Sequence, residues 1–155
     1  MIKADVLVNT KDWQKHISHP GNYLKKRLKK SNKKINTFKT NKFSFSLLLS
    51  GNEEIKKLNK KFRNKNKITD VLSFPFHEKK ILNKLKKNKK KIIYLGDVII
   101  NLRQIIKKSK KKSFLEVFDQ IWVHGLVHLL GYQHKSNKDF FVMQKLENKI
   151  IKSIK

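Results

Sequence analysis

Three histidines in the C-terminal third of the chain stand at metal-ligand spacing: His124, His128 and His134, within the run VHGLVHLLGYQH. Four residues of helix turn about 40° past a full turn and rise ~6 Å, so His124 and His128 present both imidazoles on one face, one turn apart. Gly131 suits the end of that helix, and the turn Gly131-Tyr132-Gln133 can bring His134 back as a third ligand. Three protein ligands leave a coordination position for water, which marks a catalytic rather than a structural zinc site. The alternative is that these are helix histidines absorbed by the core. It is costly here, because the same helix carries Ile121, Trp122, Val123, Leu126 and Val127, and imidazoles buried among them would lack partners. His16, His19 and His77 show no such spacing and are expected at the surface. Three imidazoles suit one divalent ion, zinc first, though nickel, cobalt and copper fit the same donors.

Metalloproteases with this spacing place a Glu directly after the first His as general base. Gly125 occupies that position, which disfavours peptide hydrolysis and directs attention to another substrate. The charge supplies one. Lys and Arg number 39 against 11 Asp and Glu, a formal charge of +28 that implies a polyanionic partner. All but three of those cations are Lys, in a chain also rich in Asn and Ile, so an A/T-biased codon usage accounts for part of the excess. The three Arg (Arg27, Arg63 and Arg103) carry the planar fork that reads phosphate, and are the cations of interest. With no Cys there is no disulfide-linked partner, no thiolate ligand and no cysteine nucleophile, as suits a reducing cytoplasmic setting. No apolar run approaches the roughly 20 residues that span a bilayer. The sequence therefore predicts a soluble, unexported protein with no membrane partner.

The elements that must hold these residues are readable from periodicity. At 155 residues the chain has the length of one domain, taken as residues 1–155. IKADVLV (2–8) reads as a strand, Pro20 as the start of a helix with Tyr23, Leu24 and Leu28 on one face, and FSFSLLLS (43–50) as a strand by strict alternation. Asn52 is expected to cap a helix carrying Ile55, Leu58 and Phe62 and ending near Asn64. VLSFPF (71–76) and KIIYLGDVII (91–100) read as strands, Pro75 placing the first at an edge, with a Lys-rich loop or short helix (78–91) between them. Leu102 to Lys108 can start a helix. The histidine helix spans Ser113 to Leu130 behind the capping-box pattern S-x-x-E (Ser113, Glu116), and a last helix follows Asn137 as N-cap. Strands and helices intermix without a regular βαβ repeat, so the expected class is α+β with one small mixed sheet of about four strands packed by helices.

The segment HGLVHLLGYQH (124–134) closely resembles the H-G-x-x-H-L-x-G-Y-D-H signature of the YbeY family, bacterial endoribonucleases of ribosomal RNA maturation. LNKKFRNKNKITDVLSFPF (58–76) is similar to that family's LN-x-x-(Y/F)-R followed by TDVLSFPF, and LGDVII (95–100) to its LGDI strand. The motifs cover the C-terminal two thirds in register, whereas residues 1–50 agree only in element order. The resemblance implies an α+β domain, a zinc-type ion on His124, His128 and His134, and cleavage of single-stranded RNA. It also implies action at the 3′ end of small-subunit ribosomal RNA and in ribosome quality control. Arg63 matches the Arg of the (Y/F)-R motif and is the expected catalytic residue, and Asp70 and Asp97 are the acids of next interest. One departure stands out, since Gln133 replaces the family's Asp before the third His. Phe74, Phe76 and Tyr132 are expected to be core residues, with base stacking as the alternative. Two other functions compete: a ribosome assembly factor whose metal is structural, and a metal-dependent hydrolase of another substrate.

Overall fold

Period-two alternation builds the two strands of the N-terminal third. A computed structural model, which describes residues 1–155, forms β1 over Ile2–Val8 and, after helices α1 (Pro20–Lys34) and α2 (Asn36–Thr40), β2 over Lys42–Ser50. In β2, Phe43, Phe45, Leu47 and Leu49 all point into the core. Pro20 opens α1, where its missing amide costs nothing. Two elements carry no periodic signal: a 3₁₀ turn at Lys11–Lys15 and α2. Each is five residues long and is held by one fully buried aromatic, Trp13 and Phe38 respectively.

Helix α3 (Asn52–Arg63) begins one residue earlier than its expected cap allows. Gly51 is the N-cap, and the Asn52 side chain instead accepts a hydrogen bond from Asn101 Nδ2 at 2.8 Å. The helix stops at Asn64, whose left-handed backbone (φ 54°) ends it as glycine would. Strand β3 (Val71–Pro75), helix α4 (Lys79–Leu85) and strand β4 (Ile92–Asn101) follow, so the Lys-rich segment is half helix and half turn. The sheet has the order β1-β2-β4-β3, parallel except for the antiparallel β3–β4 pair, and Pro75 ends its edge strand. Gly96 takes φ 128° where β3 crosses close, and a Cβ there would sit 2.1 Å from the Phe74 carbonyl oxygen.

Helices α5 (Leu102–Lys108), α6 (Phe114–Leu129) and α7 (Asn137–Ile154) complete the chain. Ser113 and Glu116 form the capping box on α6, and Gly131 follows with φ 91°. On α7 the cap is Ser136, whose hydroxyl accepts from the Asp139 amide, one residue before the expected Asn137. A core of 30 buried residues lies between the sheet and the α1, α6 and α7 layer, while α3 alone covers the opposite face over Leu72 and Ile99. The α+β class with one small mixed sheet is the observed one. No helix is long and apolar enough to cross a membrane.

A buried polar network fixes α6 against its neighbours. Asp119 accepts from Trp122 Nε1 at 2.9 Å and from the Tyr23 hydroxyl at 2.9 Å, and Arg27 lies 3.2 Å away while also donating to the Ile154 carbonyl. Burial pushes the Tyr23 phenol up to about 12, so it remains a donor at any physiological pH. Arg27 is thereby a structural cation tying α1 to α6 and α7.

Candidate metal centre

The apolar stripe of α6 points at the sheet and leaves His124 and His128 at its edge, each partly buried. Their Nε2 atoms stand 3.1 Å apart. His124 Nδ1 donates to Glu147 Oε1 of α7 at 2.7 Å, and His128 Nδ1 donates to the Tyr132 carbonyl at 2.9 Å. With each Nδ1 carrying its proton, both Nε2 lone pairs face each other, a repulsion that a metal ion or a proton between them removes. The Gly131 turn brings exposed His134 to the same point, so that one ligand atom from each of the three residues lies within 4.8 Å of the others. A tetrahedral ion with nitrogen ligands at about 2.0–2.1 Å needs nitrogens roughly 3.3 Å apart. The His124–His128 pair meets that spacing, and His134, at the surface, needs only a side-chain adjustment. The donor set thus fits one divalent ion. Burial, followed by the neighbouring His124, holds His128 below the ordinary imidazole value, which keeps its lone pair free near neutrality.

Gly125 explains itself by packing. A Cβ there would lie 2.6 Å from Val98 Cγ1 and 3.2 Å from Ser73 Oγ, so the position faces the sheet and has no room for the base that a metalloprotease needs. Gly125→Ala is expected to cost stability despite the better helix propensity of Ala. Overpacking at about 1–3 kcal/mol outweighs a gain of about 1 kcal/mol, giving a lower urea midpoint at unchanged m-value. An unchanged or higher midpoint would show that Val98 and Ser73 yield easily.

The histidines floor a cleft of about 460 Å³ whose walls include Arg63, Asp70, Tyr132 and Lys135. Arg63 is the last residue of α3. Asn59 steadies its setting by donating from Nδ2 to the Lys67 carbonyl across the loop that follows. No protein acceptor engages its guanidinium, whereas Arg27 serves the core and Arg103 lies on the far surface 3.9 Å from Asp12. Asp70 also enters the cleft, hydrogen-bonded to Lys108. Burial alone would raise its carboxyl, but Lys108 carries it below the usual carboxylate value, so it stays ionised.

The family model described as Endoribonuclease YbeY matches residues 7–155. The chain belongs to the YbeY family. The match includes residues 7–50, where motifs had given element order alone. Among YbeY relatives, a Pelagibacter ubique endoribonuclease YbeY is 46% identical, spanning 100% of this chain and 97% of the relative. A Fusobacterium nucleatum endoribonuclease YbeY is 34% identical over 88% of this chain and 80% of its own. A Thermotoga maritima protein solved in solution shares the fold, with a TM-score of 0.61 at 22% identity, covering 99% and 89% of the two chains.

Three residues depart from the sequence-based expectations. Asp97 lies on the face of β4 away from the histidines, one residue from Val98, which packs toward Gly125, and it accepts from the Tyr94 hydroxyl at 2.7 Å. Phe76 is 67% exposed beside Tyr94, neither in the core nor in the cleft, and Tyr132 is a wall of the cleft. Phe74 packs under α3, as expected. Gln133 lines the cleft but hydrogen-bonds to no histidine, while the carboxylate that does is Glu147. Glu147 was missed because its only signal is one acid beside the Leu146 and Ile150 stripe of α7, in a helix 23 residues beyond His124.

Proposed function

We propose that the chain is a metal-dependent endoribonuclease that cuts single-stranded RNA. Its expected setting is cytoplasmic, in ribosomal RNA processing at the 3′ end of the small-subunit RNA and in ribosome quality control. One divalent ion, zinc first, is held by His124, His128 and His134, and Arg63 is the catalytic cation. The observation that carries this reading is an open histidine triad sharing one cleft with an unengaged Arg, in a chain of a family whose relatives bear the name endoribonuclease. When bound, the ion supplies Lewis acidity to a phosphodiester at the base of the cleft.

The chain's own groups account for the rest. Arg63 and Lys135 line the cleft that holds the triad and can hold phosphate oxygens there, and the Arg fork opposes the charge that builds on them during cleavage. Glu147 and the Tyr132 carbonyl fix both ring tautomers so that Nε2 faces the cleft. The general +28 field concentrates RNA without choosing among sequences. An assembly factor with a structural metal is less well supported, since a structural site would close with a fourth protein ligand and His134 is exposed.

Purified protein is expected to contain one metal equivalent by elemental analysis, to cut single-stranded RNA, and to spare casein and duplex RNA. Chelation should stop cleavage, and added zinc should restore it. Chelator-sensitive proteolysis without ribonuclease activity would reverse the assignment.

A further inference from the structure

A second cavity, of about 700 Å³, opens beside the histidine cleft between the α5–α6 connection and α7. The two share Asp70, Val71 and His124, so a strand leaving the cleft passes directly into it. Its volume falls in the roughly 300–1,000 Å³ of clefts that hold small ligands. Val117, Ile121 and Ile151 give it an apolar floor on which a flat ring can lie. The exposed amides of Gln120, Gln144 and Asn148 stand around that floor, and each offers both donor and acceptor to the edge of a base.

The rim is cationic. Lys111 and Lys112 line it and make no ion pair, while the two carboxylates in the wall are already engaged, Asp70 by Lys108 and Glu147 by His124. An entering phosphate therefore meets two free ammonium groups, one carboxylate paired to Lys108 and one hydrogen-bonded to His124.

We propose that this cavity is a nucleotide subsite of the enzyme. It receives the unpaired base next to the scissile phosphodiester on the apolar floor, and Lys111 and Lys112 hold that nucleotide's phosphate. The inference rests on RNA being the substrate. It also gives single-strand selectivity a physical source, because a base must leave its stack to reach the floor, which a duplex resists.

The test uses the metal-loaded protein and a fluorescent 2′-O-methyl RNA decamer, checked by gel to remain intact, with binding measured across a salt series. Lys111→Ala with Lys112→Ala should weaken binding about tenfold and lower the slope of log K against log salt by about 0.7, the value for the one phosphate the pair holds. Lys33→Ala with Lys34→Ala, in the exposed last turn of α1, removes the same charge elsewhere and should change affinity less than about twofold. Gln144→Leu with Asn148→Leu should shift base preference at one position flanking the cut, read by sequencing fragment ends, with metal content unchanged. If the wild type cuts RNA and the Lys111/Lys112 variant binds no worse than the α1 control, the subsite is wrong and the endoribonuclease assignment stands. An equal loss of affinity for duplex RNA would make the lysines a general backbone patch and also overturn it. A wild type that neither binds nor cuts RNA removes the functional reading and the subsite together.

Discussion

His128→Ala is expected to abolish tight binding of the divalent ion while leaving the fold intact. The residue lies at the margin of α6, partly buried, and its ring contacts are to the other two histidines and the Tyr132 carbonyl, so its loss opens a polar surface and no cavity in the core. Four-ligand zinc sites bind with roughly 10–16 kcal/mol, about 3 kcal/mol per ligand, so removing one of three should cost ~10²-fold or more in affinity. Glu147→Gln is the informative comparison. It keeps a hydrogen-bond acceptor for His124 Nδ1 and removes the charge, a change that typically costs about 10- to 100-fold. Native mass spectrometry can rank the two variants against the wild type. Affinity should also fall as the pH drops below about 6, because ligand histidines must be neutral to offer a lone pair. A full metal equivalent retained by His128→Ala would remove the basis for the site.

Arg63→Ala should fold and keep its metal yet lose most cleavage. The guanidinium has no protein partner and shares the cleft with the triad, at a chain position fixed by the left-handed Asn64 that ends α3. A preorganised donor aimed at charge that grows in the transition state acts on rate, and its loss costs about 10² to 10³ in kcat, or ~3–4 kcal/mol. Arg63→Lys should recover little, since an ammonium cannot supply two parallel N–H donors. Lys60→Ala and Lys65→Ala remove equal charge from exposed neighbours that do not line the cleft. Single-turnover cleavage at saturating enzyme makes the comparison, and Arg63→Ala no slower than those controls would return Arg63 to the solvated surface.

What could be read in advance followed from periodicity and spacing. The alternation at 43–50 and the capping box at Ser113 each fixed an element, and the spacing of His124, His128 and Gly131 located two side chains of the histidine cluster and the turn to the third. Elements held by one long-range contact were silent: α2 exists because Phe38 is buried, and nothing local in NTFKT says so. Caps slipped by one residue at Gly51 and Ser136 because adjacent residues of good capping type, Gly beside Asn and Ser beside Asn, compete for the same role, and for Asn52 a partner 49 residues away decided it. The same limit hid Glu147. Its meaning comes from α7 packing on α6, a tertiary fact with no sequence period, and the opposite placement of Asp70 and Asp97 depends on sheet order in the same way.

The histidine triad, the Tyr132 carbonyl and Glu147 come from a helix, its terminal turn and a second helix, and they converge only in the folded chain. An ion held by the triad would therefore favour that state by mass action, by about 2.7 kcal/mol when free metal exceeds its dissociation constant a hundredfold. That is roughly a hundredfold fewer opened molecules for proteases to capture. Starvation for the ion would then do more than idle the chain: it would shorten its lifetime, so the amount of protein in the cell would follow the metal supply.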